Sequence, residues 1–204
     1  MNCANGKILS YCIPKYKSYY MQFKEYVSYF QAILENPDKY EGYQDEEILN
    51  YTRLNWSRMN RWLKKFEPNA ETVSFIIAIT TKQHWILITE PWCGDAAHSV
   101  PMIYQMVKNN PLLTLDIQLR DSEPHLIDQY MTNGGKSIPK LVIRNEQGED
   151  LAVWGPRPQG CTDLFVMMKD KGAEFNDIKE EIQKWYNQDK GAAIQQELVN
   201  ILSR

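Results

Sequence analysis

The chain has no apolar run approaching the roughly 20 residues of a membrane-spanning helix, so no membrane partner is expected. It has only 4 cysteines in 204 residues, and Cys3, Cys12, Cys93 and Cys161 are too widely and unevenly spaced for a disulfide framework. A reducing, cytoplasmic setting is the expectation. Charge of neither sign dominates: the formal net charge is −3, which gives no reason to expect nucleic acid or anionic lipid as a partner. The 3 histidines, His84, His98 and His125, are scattered and show no metal-ligand spacing toward a cysteine. The opening Met1-Asn2-Cys3-Ala4-Asn5-Gly6-Lys7 lacks the charged-then-apolar order of a signal peptide. No internal repeat, low-complexity tract or flexible linker interrupts the sequence, and 43% hydrophobic with 24% charged residues is a globular composition.

What is present divides into a helical first third and an alternating remainder. Aromatic-rich residues 16–34 read as a helix that stops at Asn36-Pro37. Residues 44–66 carry apolar side chains at helical spacing, with Asp45-Glu46-Glu47 at the start and Lys64-Lys65 at the end, each placed well against the helix dipole. Residues 70–80 predict a third helix, with a strand as rival because of their β-branched content. Strands are then predicted at 85–89 and 112–119, and a hairpin at 140–144 and 149–154. Helices are predicted at 95–108, 124–131, 158–169, 174–187 and 192–202, with a break at Gly191. A single domain is expected, with residues 1–69 as a helical extension, about 72–170 as the core and 173–204 as C-terminal helices.

Trp92-Cys93-Gly94-Asp95-Ala96 is the segment richest in chemistry. It places a cysteine where a strand hands over to a helix, facing unpaired backbone N–H groups and the positive end of the helix dipole. Both favour the thiolate, the reactive species. Asp95 opposes them, since a like charge raises a thiol's pKa, so moderate activation of Cys93 is expected.

The strand–helix order around this cysteine resembles the thioredoxin fold. Trp92-Cys93-Gly94 matches the start of that family's Trp-Cys-Gly-Pro-Cys motif, and Pro101 falls 8 residues after the cysteine, where thioredoxins carry a helix-kinking proline. Ser137-Ile138-Pro139-Lys140-Leu141 is similar to the family's Ile-Pro-Thr-Leu segment, at a separation of 46 residues from Cys93 to Pro139. Gly148 and Gly155 fall at the hairpin turn and exit, as the family's glycines do. The resemblance spans about residues 72–170 and points to a divergent single-cysteine branch. The implied fold is α/β and thioredoxin-like, a central mixed sheet flanked by helices, with a helical N-terminal extension and extra C-terminal helices. Two departures matter. Ala96 replaces the second motif cysteine, and Leu87 stands where many thioredoxins keep a buried aspartate.

The resemblance implies a site made of catalytic Cys93 with substrate-contacting Trp92, Gly94, Asp95, Ile138, Pro139, Gly155 and Arg157. It implies a cis Ile138–Pro139 bond, whose alternative is a plain turn proline, placing the Ile138 backbone where an extended substrate can pair with it. Arg157, between two prolines, is either a grip for an acidic small thiol such as glutathione or an exposed helix-start arginine. Trp92 is read as substrate-facing. Cys161 is read as a small buried residue, with a distal resolving thiol as its rival. His98 is read as a surface residue, and Arg58, Arg61 and Lys65 as one solvated helical face.

Two function classes follow. One is a monothiol thiol–disulfide oxidoreductase in cell redox homeostasis. Its Cys93 attacks mixed disulfides or oxidised thiols of proteins or small molecules, and an external low-molecular-weight thiol serves as co-substrate. The other is a non-catalytic binding module or redox sensor using the Cys93/Pro139/Arg157 surface. No bound cofactor or metal is expected. The oligomeric state is not legible. No Thr-X-X-Cys segment precedes the helix, which argues against a peroxidase.

Overall fold

A computed structural model of the chain describes residues 20–203. In chain order the elements are β1 (Met21–Gln22), α1 (Phe23–Glu35), α2 (Glu46–Lys65), α3 (Ala70–Ile77), β2 (Gln83–Thr89), α4 (Ala96–Val107), β3 (Leu113–Leu119), β4 (Lys140–Asn145), β5 (Asp150–Trp154), α5 (Gln159–Asp170), α6 (Phe175–Asp189) and α7 (Ala192–Leu202). The strands form one mixed sheet in the order β1-β3-β2-β4-β5. The central strand β2 runs parallel to β3 and antiparallel to β4. Its residues Trp85 to Thr89 are all buried, as an apolar run covered on both faces requires. This is the mixed sheet with flanking helices that the sequence predicts.

Local signals set the helix ends. Asp45 caps α2 by accepting from the Ile48 N–H at 2.9 Å, and Asn69 caps α3 by accepting from the Thr72 N–H at 2.8 Å. Along α2 the buried side chains Leu49, Thr52, Asn55, Met59 and Trp62 recur every three or four residues and face α4. Covered by α2 and the sheet, α4 is buried almost throughout, which is why its sequence carries so few charges. At the other end, Glu197 of α7 ties down the hairpin exit by accepting from Trp154 Nε1 and the Gln159 N–H, both at 2.6 Å.

Three predicted elements change. The first helix begins at Phe23, because Met21–Gln22 pairs with Asp116–Ile117 as an edge strand and the Gln22 N–H is capped by Glu25 at 2.7 Å. Residues 16–19, Cys3 and Cys12 lie outside the described residues. Residues 70–80 are helical, as α3, only to Ile77. The predicted helix at 124–131 is a single 3-10 turn, Leu126–Gln129, preceded by His125 in the left-handed region at φ 56°.

Candidate functional site

The strand β2 ends at Thr89, and the Cys93 N–H closes a turn by donating to the Glu90 carbonyl at 3.0 Å. That turn sets the thiol at the start of α4, where it is 7% exposed and donates to the Ile138 carbonyl at 3.3 Å. The Ile138–Pro139 bond is cis, as the resemblance implies. Behind it lies Gly155 at φ 108°, where any Cβ would run into the Pro139 carbonyl oxygen. Lys140 Nζ locks these loops by donating to the Gly155 carbonyl at 2.8 Å and to Thr132 Oγ1 at 2.6 Å.

Charge around the thiol does not follow the helix-dipole expectation. Burial pushes the Cys93 thiol up to about 12, and Asp95 pushes the same way. The backbone N–H groups of Ala96 and Asp95, with Arg157, pull it down and lose. Moderate activation is therefore corrected to a protonated resting thiol, because the helix-start geometry operates where water is excluded. Asp95 is itself buried. Its Oδ2 pairs with Arg157 Nη2 at 2.7 Å and its Oδ1 accepts from the Tyr186 hydroxyl at 3.0 Å. Both readings of Arg157 are thus corrected: the carboxylate it grips is Asp95, and its guanidinium lies 4.6 Å over the Phe165 ring. It is neither a free anion anchor nor an exposed side chain.

His98 is not on the surface. It is 1% exposed, its Nδ1 accepts from Trp62 Nε1 at 2.8 Å, its Nε2 meets the Gln183 side chain, and its ring stacks on Tyr186 at 4.2 Å. Five residues after Cys93, it points toward α2 and α6, two elements a bare α4 helix would not reveal. Burial holds its pKa down to about 3. The unfolded ring protonates near 6.5 and the folded ring only far below, so stability is lost as pH falls through that window. Urea unfolding from pH 4 to 7 should show wild type losing stability relative to His98→Gln by as much as about 1.4 kcal/mol per pH unit. Parallel curves for the two proteins would refute this.

Cys93 opens onto a cleft of about 1200 Å³, whose walls come from the residues before α2, from α2 itself, from the loop after β3 and from α6. Trp92, Gly94, Asp95, Ile138 and Arg157 also line it; Pro139 and Gly155 stand behind the wall and shape it. A family model described as Thioredoxin matches residues 42–179, from just before α2 into α6. The chain belongs to this thioredoxin family. Among solved structures, an HIV epitope scaffold is 13% identical with a TM-score of 0.53, over 90% of this chain and 98% of that one. That likeness shows the fold alone. A Pseudomonas aeruginosa protein of unknown function is 15% identical with a TM-score of 0.47, over 85% of this chain and 99% of that one. No curated protein matches the sequence.

Within this thioredoxin-family site, several residues escaped the sequence reading. Glu90 is a buried carboxyl three residues before Cys93, and burial pushes its pKa up to about 7. A lone acid closing an apolar strand was the available signal. Tyr51 of α2 places its hydroxyl against Gly94, so that any Cβ there would strike it. Trp92 is half-buried, with the Arg120 guanidinium 4.6 Å over its ring. Arg58 and Arg61 are not a freely solvated face: Arg58 donates to Asn55 at 2.8 Å, and Arg61 reaches Asn187 of α6 at 2.6 Å. Cys161 is fully buried, with its thiol pushed up to about 12 by burial. Among the described residues, no group of three or more His, Cys, Asp or Glu is placed to hold a metal ion, and no helix is long and apolar enough to cross a membrane.

Proposed function

We propose that the protein is a single-thiol thiol–disulfide oxidoreductase of the thioredoxin fold, acting in the reducing cytoplasm. The observation that carries the reading is the Cys93 Sγ held 3.3 Å from the Ile138 carbonyl at a cleft wall, beside cis Pro139. Among the described residues the Ile138 N–H has no hydrogen-bond partner, so an extended substrate strand can pair there and lay a disulfide against the thiol. The Cys93 thiolate attacks one sulfur of the substrate disulfide, forms a mixed disulfide and releases the other sulfur as a thiolate. With Ala96 where a second motif thiol would stand, an external thiol attacks the substrate sulfur of that mixed disulfide and frees Cys93. The protonated resting thiol keeps the site inert until a substrate enters.

The raised thiol pKa also favours a second reading, a binding module in which Cys93 never turns over. Wild type and Cys93→Ser separate the two when incubated with a glutathionylated peptide and excess glutathione. The expected result is Cys93-dependent deglutathionylation, with a Cys93 mixed disulfide seen by mass spectrometry when glutathione is withheld. Turnover equal in both proteins, or no mixed disulfide, sinks the oxidoreductase reading.

A further inference from the structure

We propose that Tyr51 sets the substrate specificity of the Cys93 site, and that the substrate it selects is an extended polypeptide segment with a large apolar side chain next to its disulfide-bonded cysteine; this rests on the exchange reaction proposed above. Tyr51 comes from α2, outside the strands and loops that the cysteine motif identifies. Its hydroxyl lies against Gly94, the residue after the thiol, so that any Cβ there would strike it. Two cations hold the ring: the Arg58 guanidinium lies 5.2 Å from its centroid, and Lys179 Nζ of α6 lies 5.4 Å from it. Arg58 is itself fixed by Asn55, whose Nδ2 donates to the Pro91 carbonyl at 3.1 Å, two residues before Cys93. Tyr51 is thus braced from α2, from α6 and from the turn that carries the thiol.

Apolar side chains continue from it along the rim. Ile48, Tyr51 and Leu54 follow one another at three-residue spacing on one face of α2, and all of them line the cleft. Ile48 is 40% exposed and Leu54 54%, and on the α6 side of the cleft Phe175 is 66% exposed. Lys179 Nζ lies 5.0 Å from the Phe175 ring centroid, so one lysine links the Phe175 and Tyr51 rings. Large exposed hydrophobics gathered around one cleft mark a surface that a partner covers.

The charge of the cleft turns away a small acidic thiol. Of the five cations lining it, four are engaged: Arg157, Arg120, Lys136 and Lys179. Arg157 pairs with Asp95 at 2.7 Å, Arg120 holds Asp121 through two bonds of 2.8 and 2.6 Å, and Lys136 pairs with Asp128 at 2.8 Å. Lys179 lies over the two rings. Lys39, in the turn after α1, is the remaining one. One cation cannot answer the two carboxylates of glutathione. At about 1200 Å³ the cleft also exceeds the roughly 300–1,000 Å³ of a small-molecule pocket. A peptide backbone paired at Ile138, with an apolar side chain reaching Tyr51, Leu54 and Phe175, uses this surface and breaks no ion pair.

The experiment uses peptides whose cysteine is disulfide-bonded to nitrothiobenzoate, with leucine, alanine or glutamate beside that cysteine, and glutathione carrying the same chromophore. The Cys93 sulfur gives its proton to the buffer and bonds the peptide sulfur, and the peptide–chromophore S–S bond breaks to release the coloured thiolate, which is timed. Each rate is taken relative to the same protein carrying Cys93→Ser. Wild type should take the leucine peptide at least about 10-fold faster than the alanine peptide, with the glutamate peptide and the glutathione adduct slower still. Tyr51→Ala should bring the leucine and alanine peptides to near-equal rates, Tyr51→Phe should keep their ratio, and Leu54→Ser, at an exposed position, should lower it. A ratio of rates on two peptides does not change with the fraction of protein folded, so a merely structural role for Tyr51 would leave it fixed. Calorimetry with Cys93→Ser protein and peptides carrying serine in place of cysteine repeats the comparison without exchange. A ratio near one in wild type, a glutathione adduct as fast as the leucine peptide, or a ratio unmoved by both Tyr51→Ala and Leu54→Ser overturns the proposal, as does calorimetry without a preference for leucine. A calorimetric preference that Tyr51→Ala abolishes, with no Cys93-dependent release from any peptide, would refute the exchange reading while leaving selection by Tyr51 in place.

Discussion

Arg157→Ala should lower folding stability by about 3–5 kcal/mol at pH 8, the loss expected when a buried ion pair is left with one charge. The pair is enclosed: the side chains of Arg157 and Asp95 are 21% and 10% exposed, and their closest approach is 2.7 Å. Burial already raises the Asp95 carboxyl, and Arg157 is the largest influence holding it down. Without the arginine, the folded Asp95 pKa rises further above its unfolded value. A folded state that binds the proton more tightly than the unfolded state loses stability as pH rises. The deficit should therefore be larger at pH 8 than at pH 5. Asp95→Asn with Arg157→Leu should recover most of the loss, because an apolar or neutral replacement of both partners leaves no uncompensated charge. Urea unfolding of the three proteins at both pH values decides it. A deficit under about 1 kcal/mol, or one independent of pH, would show that the pair is not buried as described.

The pair also bears on the thiol. Asp95 raises Cys93 and Arg157 lowers it, so the single and double variants should move alkylation of Cys93 in opposite directions. The double variant, with no carboxylate beside the sulfur, should be faster than Arg157→Ala at pH 8, where the lone Asp95 carries most charge, and the gap should narrow toward pH 5. Burial first and the Asp95 charge second explain how a residue named from a motif can be a poor nucleophile at rest.

The core of the fold was legible in the sequence because its signals are local. The apolar run that became β2, the Asp45 cap of α2 and the glycines of the β4–β5 hairpin each act over a few residues. The cysteine, Ile138 and Pro139 were found through family spacing, and the structure brings them together. What escaped depends on contacts between elements remote in sequence. His98 is buried only because Trp62 and Tyr186, 36 and 88 positions away, close over it. The thiol's high pKa has the same origin. The helix-start signal was read correctly in direction, but its weight depends on water exclusion by α2 and α6, which no motif encodes. Met21–Gln22 was missed because a two-residue strand carries no periodicity at all.

Gly155→Ala should destabilise the protein by about 2–5 kcal/mol, combining a strained backbone with a collision. The position sits at φ 108°, a region L side chains rarely adopt, and its Cβ would meet the Pro139 carbonyl oxygen and then the Lys140 Cα. Both obstacles are backbone, so relief requires moving the loop that holds Cys93 Sγ to the Ile138 carbonyl. Gly148→Ala is the matched control. Gly148 lies at φ 81° in the turn between β4 and β5, with nothing within 4 Å of its Cβ position. That substitution carries the backbone penalty alone, about 1–2 kcal/mol. The difference between the two variants isolates the contact with Pro139, and Cys93 alkylation should speed up only in Gly155→Ala, where the loop is pushed off the sulfur. Equal stability losses, with alkylation unchanged in both, would mean that Gly155 serves its own turn and does not brace the proline loop beneath the thiol.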